Sequence, residues 1–349
     1  MLVTEMRNFF YRSGILKSSQ FDIPIISIGN LSVGGTGKSP MTAYLVNRLK
    51  SNHQVGVLSR GYGRKTQGYL EVDSNGSATE YGDEPLQLKR NFPDIPVAVE
   101  SHRIKGIVNL LDHHEEMDVV LLDDAYQHRA VKAGLSILLT DYSAPFFTDF
   151  VLPTGNLREL RSNANRADII IVTKCPEYMD QSFKKDFIRK ISKYSKAPVF
   201  FSSVVYENLC ALNQGDNVPA LDDKYVLALS GIARPVPFFT FLKSKSKCVK
   251  EMRFPDHHRF TLKDIQKIEQ AFHEFSAQGG IICTTEKDAM RLQSLQGEAK
   301  IIIQKLPIFY QKIGVKIHEE SLFNSIIEEY VATNKGNHLI PSEQDESHS

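Results

Sequence analysis

Lys38 and Ser39 stand where a chain handles phosphate. They follow a glycine-rich loop, Gly34-Gly35-Thr36-Gly37, which itself follows the β-branched residues Ile25, Ile26 and Ile28. After them Met41, Tyr44, Leu45 and Leu49 recur at helical spacing, with Pro40 where a first helical turn tolerates it. Strand, glycine loop and helix N-terminus together form a phosphate cradle. Backbone N–H groups point into the loop, the helix dipole favours anions, Lys38 reaches the outer phosphates and the Ser39 hydroxyl meets Mg²⁺. A nucleoside triphosphate is therefore expected on Ser32, Val33, Gly34, Gly35, Thr36, Gly37, Lys38 and Ser39. The strict pattern G-x-x-x-x-G-K-[ST] has a glycine where this chain has Ser32, so Gly34 and Gly35 are expected to make the tight turn.

Met117 to Asp124 is an apolar strand ending in two carboxylates, Asp123 and Asp124. Beside a phosphate loop on the same sheet, that layout positions Mg²⁺ directly or through water. Gln127 and His128 follow either as groups around that site or as turn residues. Three further clusters sit just past strand ends, where α/β sheets hold ligands. Ser59 to Arg64 offers glycines for close approach, with Arg60 and Tyr62 as donors to phosphate or sugar. Tyr81-Gly82-Asp83-Glu84-Pro85 is a sharp turn presenting two carboxylates, and Phe254-Pro255-Asp256-His257-His258 precedes a helix. A carboxylate oriented by a histidine across a cleft suits removal of a proton from an alcohol attacking a γ-phosphate. Asp83 and His257 are the candidates. The tandem His113-His114 lies in a polar stretch and reads as a solvated turn.

Short apolar runs at 23–28, 55–58, 96–99, 118–122, 135–139, 168–172 and 198–205 alternate with helical patterns, the rhythm of βαβ units and a mostly parallel sheet. Further strands are expected at 225–231, 247–254, 280–285 and 300–304. Between them Leu262, Ile265, Ile268 and Phe272 mark an amphipathic helix, with Thr261 and Asp264 spaced as a capping box. The reading is α/β, with an N-terminal amphipathic segment (1–20), a phosphate-loop core (21–205), a linker (206–224), a second α/β domain (225–333) and a polar tail (334–349).

With a net charge of +1, the chain lacks the basic excess of a nucleic-acid binder, and no nucleic acid is expected. Four cysteines far apart, with no C-x-x-C pair, speak for a reducing compartment and against zinc. No run approaches the length of a spanning helix, and no signal peptide is visible. The first residues carry Phe9, Phe10, Tyr11, Ile15 and Leu16 beside Arg7, Arg12 and Lys17, a pattern that lies on an anionic membrane surface or packs on its own domain.

In order along the chain, GNLSVGGTGKSP, SRGYGR, GDEP, the Ser101-His102-Arg103 turn, LLDDAYQH, LPTGNLREL, VTKC, SGIARP, FPDHHRF and TTEKDAMRL together resemble the tetraacyldisaccharide 4′-kinase family of lipid A biosynthesis. The serine in place of the first loop glycine is the family's own habit. The resemblance implies two Rossmann-like α/β/α domains, the first of P-loop NTPase type, joined by a short β linker. It implies transfer of the γ-phosphate of MgATP to the 4′-hydroxyl of a tetraacylated disaccharide 1-phosphate, by a protein peripheral to the cytoplasmic face of the Gram-negative inner membrane. ATP and Mg²⁺ are the implied cofactors, the lipid disaccharide is the implied partner, and no obligatory protein partner is implied. Asp83 is the implied base paired with His257, with Lys38 as the catalytic lysine. Ser39, Asp123, Asp124 and Glu159 are the implied metal shell, and Arg60, Tyr62, Glu84 and Arg103 the substrate side. Many relatives carry a hydrophobic helix ahead of the segment matching MRNFFYRSGIL, whereas here the chain starts almost inside that match. In FPDHH the histidine after Asp256 fits the motif, with His258 adjacent.

Two other readings compete. A P-loop ATPase switch with the deviant loop K-G-G-x-G-K-[ST] would have lysine where this chain has Val33, and a GTPase would need aspartate where Pro176 follows Thr173-Lys174. A soluble small-molecule alcohol kinase would share the same loop.

Overall fold

A computed structural model describes residues 2–213 and 215–334. Its strands, β1 (Ile25–Asn30), β2 (Val55–Ser59), β3 (Leu70–Glu71), β4 (Val97–Val99), β5 (Val119–Asp123), β6 (Leu135–Asp141), β7 (Ile169–Cys175), β8 (Val199–Ala211), β9 (Tyr225–Ser230), β10 (Cys248–Arg253), β11 (Ile281–Thr285) and β12 (Ile308–Ile317), form one sheet. The order is β10-β9-β11-β12-β8-β7-β6-β1-β5-β2-β4-β3. All neighbours pair in parallel except β12 with β8 and β3 with β4. Helices cross between the parallel strands, so β1, β2, β5 and β11 are buried along their whole length and read as continuous apolar runs.

Two of the hydrophobic centres that follow from this order hold the elements of the site. Ile26 and Ile28 of β1 and Leu121 of β5 pack with Met41, Leu45 and Leu49 of the helix Lys38–Leu49. Burying each such side chain contributes about 1.5–3 kcal/mol, which pins the helix that follows the glycine loop. In the second centre, Leu227, Leu229 and Ile282 pack with Ile265 and Ile268 of the helix Leu262–Ser276. That helix carries its reciprocal cap: Thr261 N–H donates to Asp264 Oδ2 at 2.9 Å and Asp264 N–H to Thr261 Oγ1 at 3.3 Å.

The long antiparallel pair β8–β12 joins the two halves. The strand expected at 300–304 is instead part of the helix Gly297–Lys305, and the strand comes later, as β12. Ile303 is buried while Ile301 faces solvent, the one-sided exposure of a surface helix, which a three-isoleucine run does not reveal by itself. The last helix, Glu320–Thr333, returns to the first centre: Phe323, Ile327 and Val331 pack there, and the Tyr330 hydroxyl bonds both Ile25 N–H and Ile25 C=O at 3.1 Å. Of the tail expected at 334–349, residues 335–349 lie outside the described residues.

Candidate active site

The glycine loop leaves the C-terminal end of β1 and is held from three sides. Ser32 bridges Leu157 in extended backbone, and Val33 N–H donates to Asn156 C=O at 2.7 Å, so the Ser32 position needs no glycine. The left-handed turns fall on Gly34 (φ 102°) and Gly37 (φ 90°), and Gly35 has no positive φ, which corrects the expectation that Gly34 and Gly35 make the turn. Thr36 is buried, with its Oγ1 bonded by Asn30 Nδ2 at 2.8 Å and its C=O by Thr173 Oγ1 at 2.7 Å. Lys174 Nζ donates to Gly35 C=O and pairs with Asp141 at 2.8 Å. Thr173-Lys174 thus braces the phosphate loop. Gly37 caps the helix whose first residues are Lys38 and Ser39, so the free N–H groups and positive end of that helix sit at the loop.

At the end of β5, the buried Asp123 accepts hydrogen bonds from Thr42 Oγ1 (3.2 Å) and Ser59 Oγ (3.3 Å). Burial first, then the charges of Glu84 and Asp124, push its carboxyl up to about 6, against the opposing pull of Lys38 and Arg103. Asp124 (φ 47°) turns the other way, to Lys38 Nζ at 3.5 Å and Arg158 Nη1 at 3.2 Å. Lys38, Ser39, Asp123 and Asp124 are therefore gathered.

Glu159 is not gathered with them. Its fully buried carboxylate meets Arg166 at 2.7 Å, Asn8 Nδ2 at 3.3 Å and Arg7 at 3.9 Å, tying it to the N-terminal helix Leu2–Arg12. Arg103 is also withdrawn: it is buried and donates to the backbone carbonyls of Glu100 (2.7 Å) and Asp123 (2.8 Å), where burial lowers it to about 10. Its work in this structure is to hold the end of β5. Arg60, beside it, is exposed. Burial, followed by the charges of Arg103 and Arg60, depresses His128 to about 4, leaving it neutral at ordinary pH.

GDEP opens the helix Asp83–Asn91, after Gly82 at φ 93°. Glu84 lines a small cavity with Ser39, Thr42, Ser59 and Asp123, and its carboxylate binds Lys287 Nζ of the second half. Burial opposes its ionisation, but Lys287, then Lys38 and the Ser39 hydroxyl, hold it down at about 2. Asp83, one residue earlier, faces a different group. Its Oδ2 receives Arg291 Nε and Nη2, both at 2.8 Å, and lies 3.7 Å from His257 Nδ1. The two expected partners are thus adjacent but too far apart for a direct hydrogen bond.

His257 (φ 55°) is half-exposed, with its ring edge-on to Tyr62 at 6.0 Å, so the SRGYGR and FPDHH segments meet. His258 is occupied elsewhere: it bonds Asp264 at 3.0 Å and stacks on Phe254. His113 and His114 share Glu71, at 2.7 and 3.3 Å, and no cluster of three or more His, Cys, Asp and Glu side chains placed to hold a metal ion occurs among the described residues.

Arg291, Lys287, Arg158 and Lys174 are site residues that reading by type missed. Each sits in a segment whose pattern was visible, TTEKDAMRL, LPTGNLREL or VTKC, without a role attached. Lys287 and Arg291 are four apart on the helix Glu286–Gln293, so one helix face carries both cations toward Glu84 and Asp83.

A family model described as tetraacyldisaccharide-1-P 4′-kinase matches residues 1–332. A tetraacyldisaccharide 4′-kinase of Flavobacterium johnsoniae is 41% identical over 336 residues, which are 95% of this chain and 94% of the relative. One of Bacteroides thetaiotaomicron is 40% identical over 361 residues, covering 99% of this chain and 94% of the relative. The crystal structure of LpxK from Aquifex aeolicus in complex with ATP matches with a TM-score of 0.72 at 30% identity, covering 94% of this chain and 95% of that one.

Proposed function

The chain belongs to the tetraacyldisaccharide-1-P 4′-kinase family, and from that premise we propose how its residues divide the work. The activity is ATP-dependent transfer of a phosphoryl group to the 4′-hydroxyl of tetraacyldisaccharide 1-phosphate, a kinase step of lipid A biosynthesis. One observation carries the assignment of the site. Asp83 and Glu84 are consecutive, yet Glu84 shares a cavity with Ser39 and Asp123 while Asp83 faces His257. A group able to take a proton therefore stands next in the chain to a residue that shares a cavity with Ser39.

In this reading the N–H groups of Gly34 to Ser39 and the Lys38 ammonium bind the β- and γ-phosphates. Asp83 accepts the proton of the attacking 4′-hydroxyl, with His257 beside it. Arg60 and Tyr62, exposed at the rim, receive the sugar phosphate, while Glu84, expected on that side, lies in the cavity with Ser39 and Asp123. The donors at the loop fit a hard divalent cation: the Ser39 hydroxyl and Asp123 line one cavity, and Asp123 is raised by burial first and then by the negative charge of Glu84 and Asp124, which a cation relieves. Ser39 and Asp123, with Asp124, would hold Mg²⁺, which when bound neutralises charge on the transferred phosphoryl group.

Peripheral contact with the cytoplasmic face of the inner membrane is the matching location. No helix among the described residues is long and apolar enough to cross a membrane. The helix Leu2–Arg12 turns its polar side to the protein: Asn8 is buried against Glu159, and Asn163 Nδ2 donates to Glu5 at 3.0 Å. Met6 and Phe9 are left outward, and Ile15 and Leu16 follow them. An amphipathic helix with its apolar side free suits a lipid surface.

The test is transfer of labelled γ-phosphate from MgATP to tetraacyldisaccharide 1-phosphate in detergent micelles, native protein beside Asp83→Ala. A phosphorylated lipid with the native protein, reduced about 10²–10⁴-fold in kcat by the substitution at unchanged ATP affinity, is the expected result. Loss of ATP binding in Asp83→Ala would move that residue to the nucleotide site.

A further inference from the structure

The geometry points to Arg291 as a positioning residue that fixes the Asp83 carboxylate and the His257 imidazole relative to each other across the cleft. This rests on the assignment of Asp83 as the base. The two groups do not bond each other; the guanidinium joins them. Arg291 Nε and Nη2 both reach Asp83 Oδ2 at 2.8 Å, and the same Nη2 donates to His257 Nδ1 at 3.2 Å.

Two consequences follow from which atoms are used. Because Nδ1 accepts from a guanidinium that has no lone pair to offer, it carries no proton, and the ring proton sits on Nε2. Because the Nε hydrogen bond and the Nη2 ion pair both end on Asp83 Oδ2, and no described residue donates to Oδ1, the second oxygen is open to accept the alcohol proton.

The guanidinium is itself fixed. Nη1 donates to Gly231 C=O at 2.9 Å and to Asp288 Oδ1 at 2.8 Å. Asp288 is completely buried, and its Oδ2 receives Gly231 N–H and Thr285 Oγ1, each at 2.8 Å. SGIARP and TTEKDAMRL thus build a rigid mount for one planar fork, whose separate edges serve separate partners. A lysine ammonium is a single point of charge and cannot reproduce that fork.

The experiment measures kcat and KM for ATP and lipid in Arg291→Gln, Arg291→Lys, Arg291→Ala, Asp83→Ala and Arg291→Gln/Asp83→Ala, each checked for folding by circular dichroism. We expect Arg291→Gln to lose about 10²-fold in kcat with KM for ATP within about twofold, the cost of a misplaced reacting group. Arg291→Lys should recover only part of that loss, and added guanidinium should partly restore Arg291→Ala. The double variant should be no slower than Asp83→Ala, since both changes act through one carboxylate.

A kcat for Arg291→Gln within about threefold of native, with Asp83→Ala inactive, overturns the role of Arg291 alone. Losses that multiply in the double variant overturn it too. An active Asp83→Ala overturns the base assignment and this inference together. Should the glutamine and alanine variants not fold, Arg291→Lys decides, and native turnover in it would overturn the proposal.

Discussion

Glu84 and Lys287 form an ion pair that joins the two halves of the molecule at the wall of the phosphate cavity. Each side chain is about one-third exposed, so the pair is neither free in solvent nor sealed in the core (31% and 29%). Glu84 also stands near Asp123, whose carboxyl it helps to push up. Removing the cation leaves two carboxylates facing one another with less compensation. Lys287→Ala should therefore cost about 1–3 kcal/mol in urea unfolding at low salt, screened partly by 1 M NaCl. Lys287→Met combined with Glu84→Gln should recover most of that loss. A Lys287→Ala protein as stable as native would show that the pair does not hold the halves together.

Lys38 faces Asp124 at 3.5 Å, and Arg158 holds the same carboxylate. The arrangement parks the ammonium at the mouth of the glycine loop, where a phosphate can take over from Asp124. Lys38→Ala is expected to weaken ATP binding and turnover together, lowering kcat/KM for ATP by about 10²-fold or more, as loss of a phosphate cation does. Isothermal titration with a non-hydrolysable ATP analogue separates the binding part. Unchanged kinetics in this variant would remove Lys38 from the nucleotide site.

The fold was legible wherever burial was two-sided. Ile25 to Ile28 and Asp118 to Leu122 announce parallel strands because helices cover both faces. Lys300 to Gln304 misleads because its burial is one-sided and a short isoleucine run fits a strand or the buried side of a helix equally. The phosphate loop was legible because its chemistry is local: glycines, lysine and serine act within one turn. The Asp83 environment was not. Arg291 lies 208 positions away in sequence, and its role depends on how the helix Glu286–Gln293 docks on the helix Asp83–Asn91. Glu159 and Arg103 show the converse. Their segments are prominent, yet Glu159 is bonded to Arg166 and Asn8, and Arg103 to two backbone carbonyls.

The fold around Asp123 disfavours its charged form. Its folded carboxyl titrates at about 6 against an ordinary 3.8, mainly through burial and then through Glu84 and Asp124. The sign follows directly: a raised carboxyl favours the folded state at low pH, and that advantage is lost as pH rises from about 4 through 6. Above pH 6 the charged group is a net burden to the folded protein. Asp123→Asn, which keeps an oxygen to accept from Thr42 or Ser59, should unfold a few degrees higher than native at pH 7.5, roughly 1–2 kcal/mol, and show a smaller gain at pH 5. The same variant should lose most Mg²⁺-dependent turnover. A lower melting temperature at pH 7.5 would mean that Asp123 is stabilising as it stands.

The N-terminal helix leaves Met6 and Phe9 outward, and this gives the proposed membrane contact a clean test. Asn8 is buried and Glu5 is bonded inward to Asn163, so the polar residues attach the helix to the protein while Met6 and Phe9 point away. Substitution of the outward residues should then leave the fold alone. Phe9→Ser combined with Met6→Ser should keep the melting temperature within about 1 °C of native, because no core contact is lost. Sedimentation with vesicles of anionic phospholipid should fall about tenfold or more, since each buried large apolar side chain supplies about 1.5–3 kcal/mol to a surface-bound helix. Turnover on lipid in detergent micelles should change much less than turnover on lipid in vesicles, because micelles bring the substrate without a bilayer. Undiminished vesicle binding would assign membrane contact to another part of the surface, and a marked fall in melting temperature would mean that Met6 and Phe9 pack against the protein.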